Sequence, residues 1–540
     1  MPTFIKLNKQ LRMKFLRKYH KWISIFFSFF FLTFGLSGII LNHREGLASL
    51  EVNRNLLPKN YQYQNWNNAA VRGSLLTKDG KIILYGNIGI WETEPEARHF
   101  KDLNHGIKKG IDNRKTSIAI EWKENLVAGT FSGLYIKEPL QKQWKYQPLN
   151  VRNPWIMDIT HRGDSLYILT RSELISTSDL QHFHYRQLPS PEGYDNKADL
   201  FKTLWVIHSG EIYGLPGKIL VDLLGIALIF LTLTGLKIFI DKIILKKSLH
   251  PETKRRKKHW IGWNLRWHNK IGYIVVAFLL LNSLTGIFLR PPFLILAAGK
   301  KVDKIPFTEL DTPNPWFDQL RRIHYDTLNH IWVISTYEGF YYSSDDFQSP
   351  LKPFIHQPPA SVMGVNVLRQ VDSSRYLIGS FEGLYLWNFK TGECLNFITG
   401  KPYENQSLQR SPIGDYLITG ISTDFPGHYL VFDYNQGCFD LFESIPLPDM
   451  PENIKNKSPL SLWSLALEFH TGRIYQSLIG PFYIMVVPLT GLAAGFVLIS
   501  GFIVWWKYYR RGKKPNHGTA SLTTSEGSPT PASLNAEIEK

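Results

Sequence analysis

Four histidines in this chain sit where their type and spacing could hold a metal. RKYHKWIS (17–24) carries His20 and LRWHNKIG (265–272) carries His268. FGLSGIIL and NSLTGIFL then place Gly38 and Gly286 at matching distances, 38 − 20 = 18 and 286 − 268 = 18 residues on. Eighteen residues is about five turns of α-helix, so histidine and glycine share one helix face in each case. A small residue on that face admits a neighbouring helix or a flat ligand. WVIHSGEIYG (205–214) and LEFHTGRIYQ (467–476) match His208 to His470 and Gly210 to Gly472.

Histidine supplies little charge near neutral pH and is the commonest metal ligand. The bland reading makes these four residues polar anchors at a membrane face, a role that Lys, Trp or Tyr would fill equally. Recurrence in two matched pairs, His20 with His268 and His208 with His470, favours a planar ligand held from both faces. Haem iron bound by two imidazoles meets that requirement, and a helical bundle can bury it. No CxxCH motif is present, so the group is expected to be haem b, two in number. His43 lies roughly 34 Å along the helix from His20, but its repeat counterpart is Pro291; it is a reserve ligand or a polar loop residue. His250 and His259 are expected to be solvated, and Asp222, costly in lipid, to face the bundle.

The elements that must position these residues are membrane helices. The chain has 540 residues and an ordinary 44% hydrophobic content, but its apolar residues concentrate in four blocks, 22–41, about 217–240, 271–289 and about 479–504. Each holds roughly 20 residues, enough to cross a hydrocarbon core as a helix. The +17 formal charge collects before the first span, between the second and third, where KRRKK occupies 254–258, and after the fourth. These are alternate ends, so the positive-inside rule places both termini and the middle loop in the cytoplasm. No nucleic-acid motif accompanies the charge, and no nucleic-acid partner is expected. The first span lacks a small-x-small cleavage site and is expected to remain as an anchor.

The resulting organisation is a basic N-terminus (1–21), a first span (22–41) and an exported β-rich insertion (42–203). A histidine motif and second span (204–241), a basic cytoplasmic loop (242–266) and a third span (267–289) follow. A second exported insertion (290–465), a histidine motif and fourth span (466–506), and a basic then disordered tail (507–540) complete the chain. Two fused copies, about 1–247 and 248–515, imply a pseudo-two-fold axis along the membrane normal.

The insertions repeat a phrase: LVAGTFSGLYIKE (126–138), IWVISTYEGFYYSSD (331–345) and YLIGSFEGLYLWN (376–388). Looser versions cover 81–93, 165–179 and 415–433. Apolar strands around a Gly-containing turn read as hairpins. A spacing of roughly 40–45 residues suits a four-stranded propeller blade, so a six-bladed, propeller-like all-β domain assembled from both insertions is expected, against a pair of β-sandwiches. Cys394 and Cys438 either form a disulfide or are buried thiols. No GxSxG, HExxH or EF-hand loop is present.

RKYHKWISIFFSFFFLTFGLSGIIL, LRWHNKIGYIVVAFLLLNSLTGIFL and the HSG and HTG motifs resemble the PepSY-associated transmembrane (PepSY_TM) family, which includes iron-regulated membrane proteins and ferrisiderophore reductases of bacterial inner membranes. The resemblance covers the four-helix part, roughly a quarter of the chain. It implies a bundle that holds b-type haem through His20, His268, His208 and His470 and passes electrons outward to a ferric complex. The large β-rich insertions depart from the compact modules of that family and put the acceptor in question.

The expected function is therefore an oxidoreductase of the ferrisiderophore-reductase kind, in a lipid bilayer, fed by a cytoplasmic or quinol donor; no flavin or nicotinamide motif is present. Two alternatives stand beside it. One is a sensor or scaffold whose β domain binds an exported ligand or protein without redox activity. The other is a transporter of an iron complex, disfavoured by the few intramembrane charges.

Overall fold

The computed structural model describes residues 2–247, 250–361, 363–403, 414–442 and 447–508; the tail from Pro515, expected to be disordered, lies outside them. Among the described residues, four helices are long and apolar enough to cross a membrane. They are α1 (Pro2–Asn42), α3 (Gly214–Lys247), α4 (Pro251–Phe288) and α6 (Val486–Tyr508), with the short helices α2 (Leu200–Ser209) and α5 (Leu462–His470) before α3 and α6.

The long helices pack in a ring, α1 on α3, α3 on α4, α4 on α6 and α6 on α1. Their outward faces leave large apolar side chains uncovered, Phe26 at 74% exposure and Leu223 and Leu281 among them, as lipid-facing surfaces require. Two boundaries differ from expectation. The 242–266 loop is mostly helix, because α3 runs to Lys247 and α4 starts at Pro251, with proline in its first turn and helix-favouring lysines and arginines after it. The fourth span starts later as α-helix: Gly480, at φ +55°, and Pro481 keep 480–485 in a 3-10 turn, and α6 begins at Val486.

On one side of the bundle lie six small antiparallel sheets. Their first strands are β1 (Gly73–Leu76), β2 (Thr116–Trp122), β3 (Ile156–Arg162), β4 (Leu320–Asp326), β5 (Val365–Gln370) and β6 (Ile418–Ser422). Each sheet is a meander, four strands in the first five and three in the sixth among the described residues. The hairpin phrases fall on the second and third strands of the first five sheets, as in Asn125–Thr130 with Gly133–Lys137. In the sixth the phrase falls on the first two strands, Ile418–Ser422 and Leu430–Asp433. Consecutive first strands touch, β1 to β2 and onward to β6, and β6 touches β1.

The two insertions build this region jointly. The cluster around Trp66 and Trp91 includes Phe425, Phe432 and Met450 of the second copy, and that around Trp316 and Trp332 includes Leu169, Leu174 and Leu188 of the first. Two tryptophans repeat the exchange: Trp66 Nε1–H donates to Pro448 O at 2.8 Å and Trp316 Nε1–H to Pro189 O at 2.7 Å. Short strand pairs tie the helices in the same crossed manner, Glu51–Val52 with Leu460–Ser461 and Lys197–Asp199 with Lys301–Asp303. Cys394 and Cys438 lie on strands of the fifth and sixth sheets and no disulfide joins them. Burial pushes the Cys438 thiol up to about 12.

Candidate functional site

His20 and His268 are built on the long helices α1 and α4, at the end of the bundle away from the sheets. His208 and His470 are built differently. Each sits at the end of a short helix started by a side-chain cap, Asp199 accepting from Lys202 N at 2.8 Å and Ser461 from Ser464 N at 3.0 Å. Gly210 (φ +78°) and Gly472 (φ +76°) then take the left-handed conformation that ends these helices and turns the chain toward α3 and α6. The HSG and HTG motifs are thus a histidine followed by a helix stop.

Every one of the four histidines packs on a long helix of the other copy. His20 reaches α6, where its Nδ1 lies 3.0 Å from Val497 O and 3.1 Å from Ser500 Oγ. His268 reaches α3, with Nδ1 2.9 Å from Thr234 Oγ1. His208 reaches α4, with Nδ1 2.9 Å from Asn282 O and 3.4 Å from Thr285 Oγ1. His470 reaches α1, with Nδ1 3.0 Å from Ser37 Oγ.

These partners fix the tautomers. A carbonyl only accepts, so His20 and His208 carry the proton on Nδ1. The Thr234 hydroxyl already donates to Phe230 O at 2.8 Å and the Ser37 hydroxyl to Thr33 O at 2.6 Å, so each accepts from its histidine. Every Nε2 is left with its lone pair, and no hydrogen bond reaches it from the described residues. An imidazole whose far nitrogen is anchored and whose near nitrogen is bare is the usual arrangement of a metal-ligating histidine.

Glycine makes room at each contact. A Cβ at Gly501 would lie 3.0 Å from His20 Cε1, at Gly235 3.5 Å from His268 Cε1, at Gly286 2.8 Å from His208 Cε1 and at Gly38 3.4 Å from His470 Cε1. Gly38 and Gly286 were expected to admit a neighbouring helix or a flat ligand; what approaches each is a histidine of the other copy. Sequence reasoning missed the rest of the motif. A hydroxyl–glycine dipeptide recurs in all four spans, Ser37–Gly38, Thr234–Gly235, Thr285–Gly286 and Ser500–Gly501, and its regularity was a readable signal.

The His208 and His470 ring centres are 5.9 Å apart at the sheet-side end, and His20 and His268 lie at the other end, on α1 and α4. No group of three or more His, Cys, Asp or Glu side chains that could hold a metal ion occurs among the described residues. Beside His470 stand Arg290, whose guanidinium donates to Thr471 O at 3.0 Å, and Arg473, paired with Glu468 at 2.5 Å. Burial, and then the neighbouring Arg473 charge, lower the Arg290 pKa. Tyr61 donates to Glu468 at 2.7 Å.

His43 is separate from both pairs. Its Nε2 lies 2.8 Å from Asp222, which also accepts from Asn42 at 2.9 Å. Asp222, 13% exposed, therefore faces α1, and its contact occupies the Nε2 of His43. At the far end, the fully buried Asp241 accepts from Lys237 of α3 and, at 2.6 Å, from Lys257 of α4; sequence reasoning missed this clamp. His250 and His259 are exposed.

A family profile described as the PepSY-associated TM region matches residues 2–242 and 243–508. No match is found among curated proteins. Among solved structures, the extracellular domain of a protein described as a one component system of B. thetaiotaomicron is similar at 11% identity and a TM-score of 0.31. That match covers 70% of this chain and 39% of the other's length. The computationally designed Ika8 protein is similar at 9% identity and a TM-score of 0.29, covering 72% of this chain and 90% of its own. Scores this low do not establish a shared fold.

Proposed function

Because this chain belongs to the PepSY-associated TM family, as two consecutive copies of its region, we propose that it is an inner-membrane b-type haem protein. It carries electrons across the bilayer to a ferric complex, as a ferrisiderophore reductase does. The observation that supports this reading most is the tautomer lock: four Nδ1–H groups anchored on the opposite copy, each leaving its Nε2 bare among the described residues.

The residues fit the group. The His208 and His470 ring centres lie 5.9 Å apart, near enough for one group to be shared between the two imidazoles. His208 with His470 would hold one haem and His20 with His268 the other. Haem iron supplies one-electron redox chemistry that no side chain here provides. The protein's part is to keep each Nε2 unprotonated, fix ring orientation through the Nδ1–H bonds, and exclude water with the apolar walls of the bundle. Arg290 and Arg473 place positive charge at the sheet-side pair.

The topology follows the charge: termini and the α3–α4 turn lie in the cytoplasm and the sheets outside. The six meander sheets act as blades of one propeller, since first strands touch in sequence and the last meets the first. The donor is a quinol or a cytoplasmic protein. Reduction releases iron because Fe(II) binds hard oxygen ligands less well than Fe(III).

The visible spectrum of the purified full chain tests this reading. A dithionite-reduced sample should show the α-band of a six-coordinate b haem, and His208→Ala and His20→Ala should each remove a different haem population. Absence of the band sinks the proposal.

A further inference from the structure

A second chemical centre lies among the sheets, away from the histidine pairs. A cavity of about 240 Å³ is lined by residues on or beside all six first strands. Three guanidiniums face it, from Arg72, Arg322 and Arg369, against two carboxylates, Asp158 and Asp424. Only one pair is matched: Arg322 lies 3.1 Å from Asp158 and donates also to Val365 O and Asn366 O. Asp424 accepts from the Ser74 hydroxyl. Arg72 has one side-chain hydrogen bond, to the neutral Asn366 amide oxygen at 3.3 Å, and Arg369 donates to Thr423 Oγ1 at 2.8 Å. Neither has a carboxylate partner among the described residues.

A cation without a counter-charge is costly in proportion to its burial, and the half-buried Arg72, with the exposed Arg369 at the rim of the same cavity, leaves a demand for negative charge. Guanidinium forks suit carboxylate and phosphate oxygens because two parallel N–H donors match two acceptors. Serine and asparagine side chains beside Arg72 add neutral hydrogen-bonding groups. Burial, and then the charge of Arg322, lower the Arg72 pKa to about 10, so the group stays protonated at neutral pH.

We propose that this cavity is a binding site for a small oxyanion, a carboxylate or a phosphate, held by Arg72 and Arg369. Arg322, already neutralised by Asp158, serves as wall and field. The site belongs to the β region and stands whether or not the bundle holds haem. Its position on strands from both insertions means that a bound anion ties the two copies together and stabilises their joint assembly.

Isothermal titration of the full chain in nanodiscs at low ionic strength, with citrate and with inorganic phosphate as separate probes, tests the proposal. The expected result is saturable one-to-one binding of at least one probe, accompanied by a rise in melting temperature. Arg72→Gln and Arg369→Gln should each weaken binding about tenfold or more, equivalent to about 1.4 kcal/mol. Arg375→Gln, which removes an exposed arginine paired with Asp372, should leave it unchanged. If Arg72→Gln prevents folding, Arg369→Gln with the melting shift carries the test. Binding of neither probe, binding indifferent to both cavity substitutions, or equal loss in Arg375→Gln overturns the proposal. Citrate binding alone would mark a carboxylate site, phosphate binding alone a phosphate site.

Discussion

Alanine at Gly286 tests the histidine geometry at its tightest point. The added methyl would lie 2.8 Å from His208 Cε1, about 0.7 Å inside the roughly 3.5 Å at which carbon atoms pack. Retreat of the ring by that amount lengthens its 2.9 Å bond to Asn282 O to about 3.6 Å, where no hydrogen bond remains. The lost bond costs about 1 kcal/mol and overpacking about 1–3 kcal/mol. Together, ~2–4 kcal/mol corresponds to a roughly 30- to 700-fold faster loss of the bound group if the whole cost falls on retention. Gly235→Ala is the control, because its Cβ would meet His268 Cε1 at an ordinary 3.5 Å. Haem transfer from each reduced variant to an acceptor globin measures retention. Equal loss from both variants, or greater loss from Gly235→Ala, would refute the steric reasoning even with haem present.

Other expectations follow from the β region. Asp158→Ala leaves the buried Arg322 guanidinium without its carboxylate and should cost about 3–5 kcal/mol in denaturant unfolding; the double variant with Arg322→Leu should recover part of that loss. Cys438 should resist alkylation at pH 8 in the folded chain, since burial holds its thiol near 12, and react once denaturant unfolds it, as read by mass spectrometry. The Ser374 backbone N–H, and then the Arg375 guanidinium, hold the Asp372 carboxyl down at about 2 against an ordinary 3.8. Its contribution to stability is therefore present above about pH 4 and fades as pH falls toward 2. Asp372→Asn should remove that part of the pH dependence from the melting temperature.

Sequence alone located the four apolar spans, because lipid demands long uninterrupted apolar runs, and it exposed the duplication, because His20 and His268 stand in matched text. Hairpins were legible for the same local reason: a glycine turn between alternating strands needs only neighbouring residues. What sequence could not determine was which copy each contact belongs to. Gly38 was expected to admit a close neighbour, but that the neighbour is His470 of the other copy was not legible, and Trp66 hydrogen-bonds Pro448 rather than anything near it in the chain. His43 kept an open role until tertiary packing set it against Asp222. Helical periodicity reports which residues share a face but not which helix covers that face. Only the folded arrangement decided that each copy anchors the Nδ1 atoms of its two histidines on the long helices of the other, and brings the His208 and His470 rings within 5.9 Å.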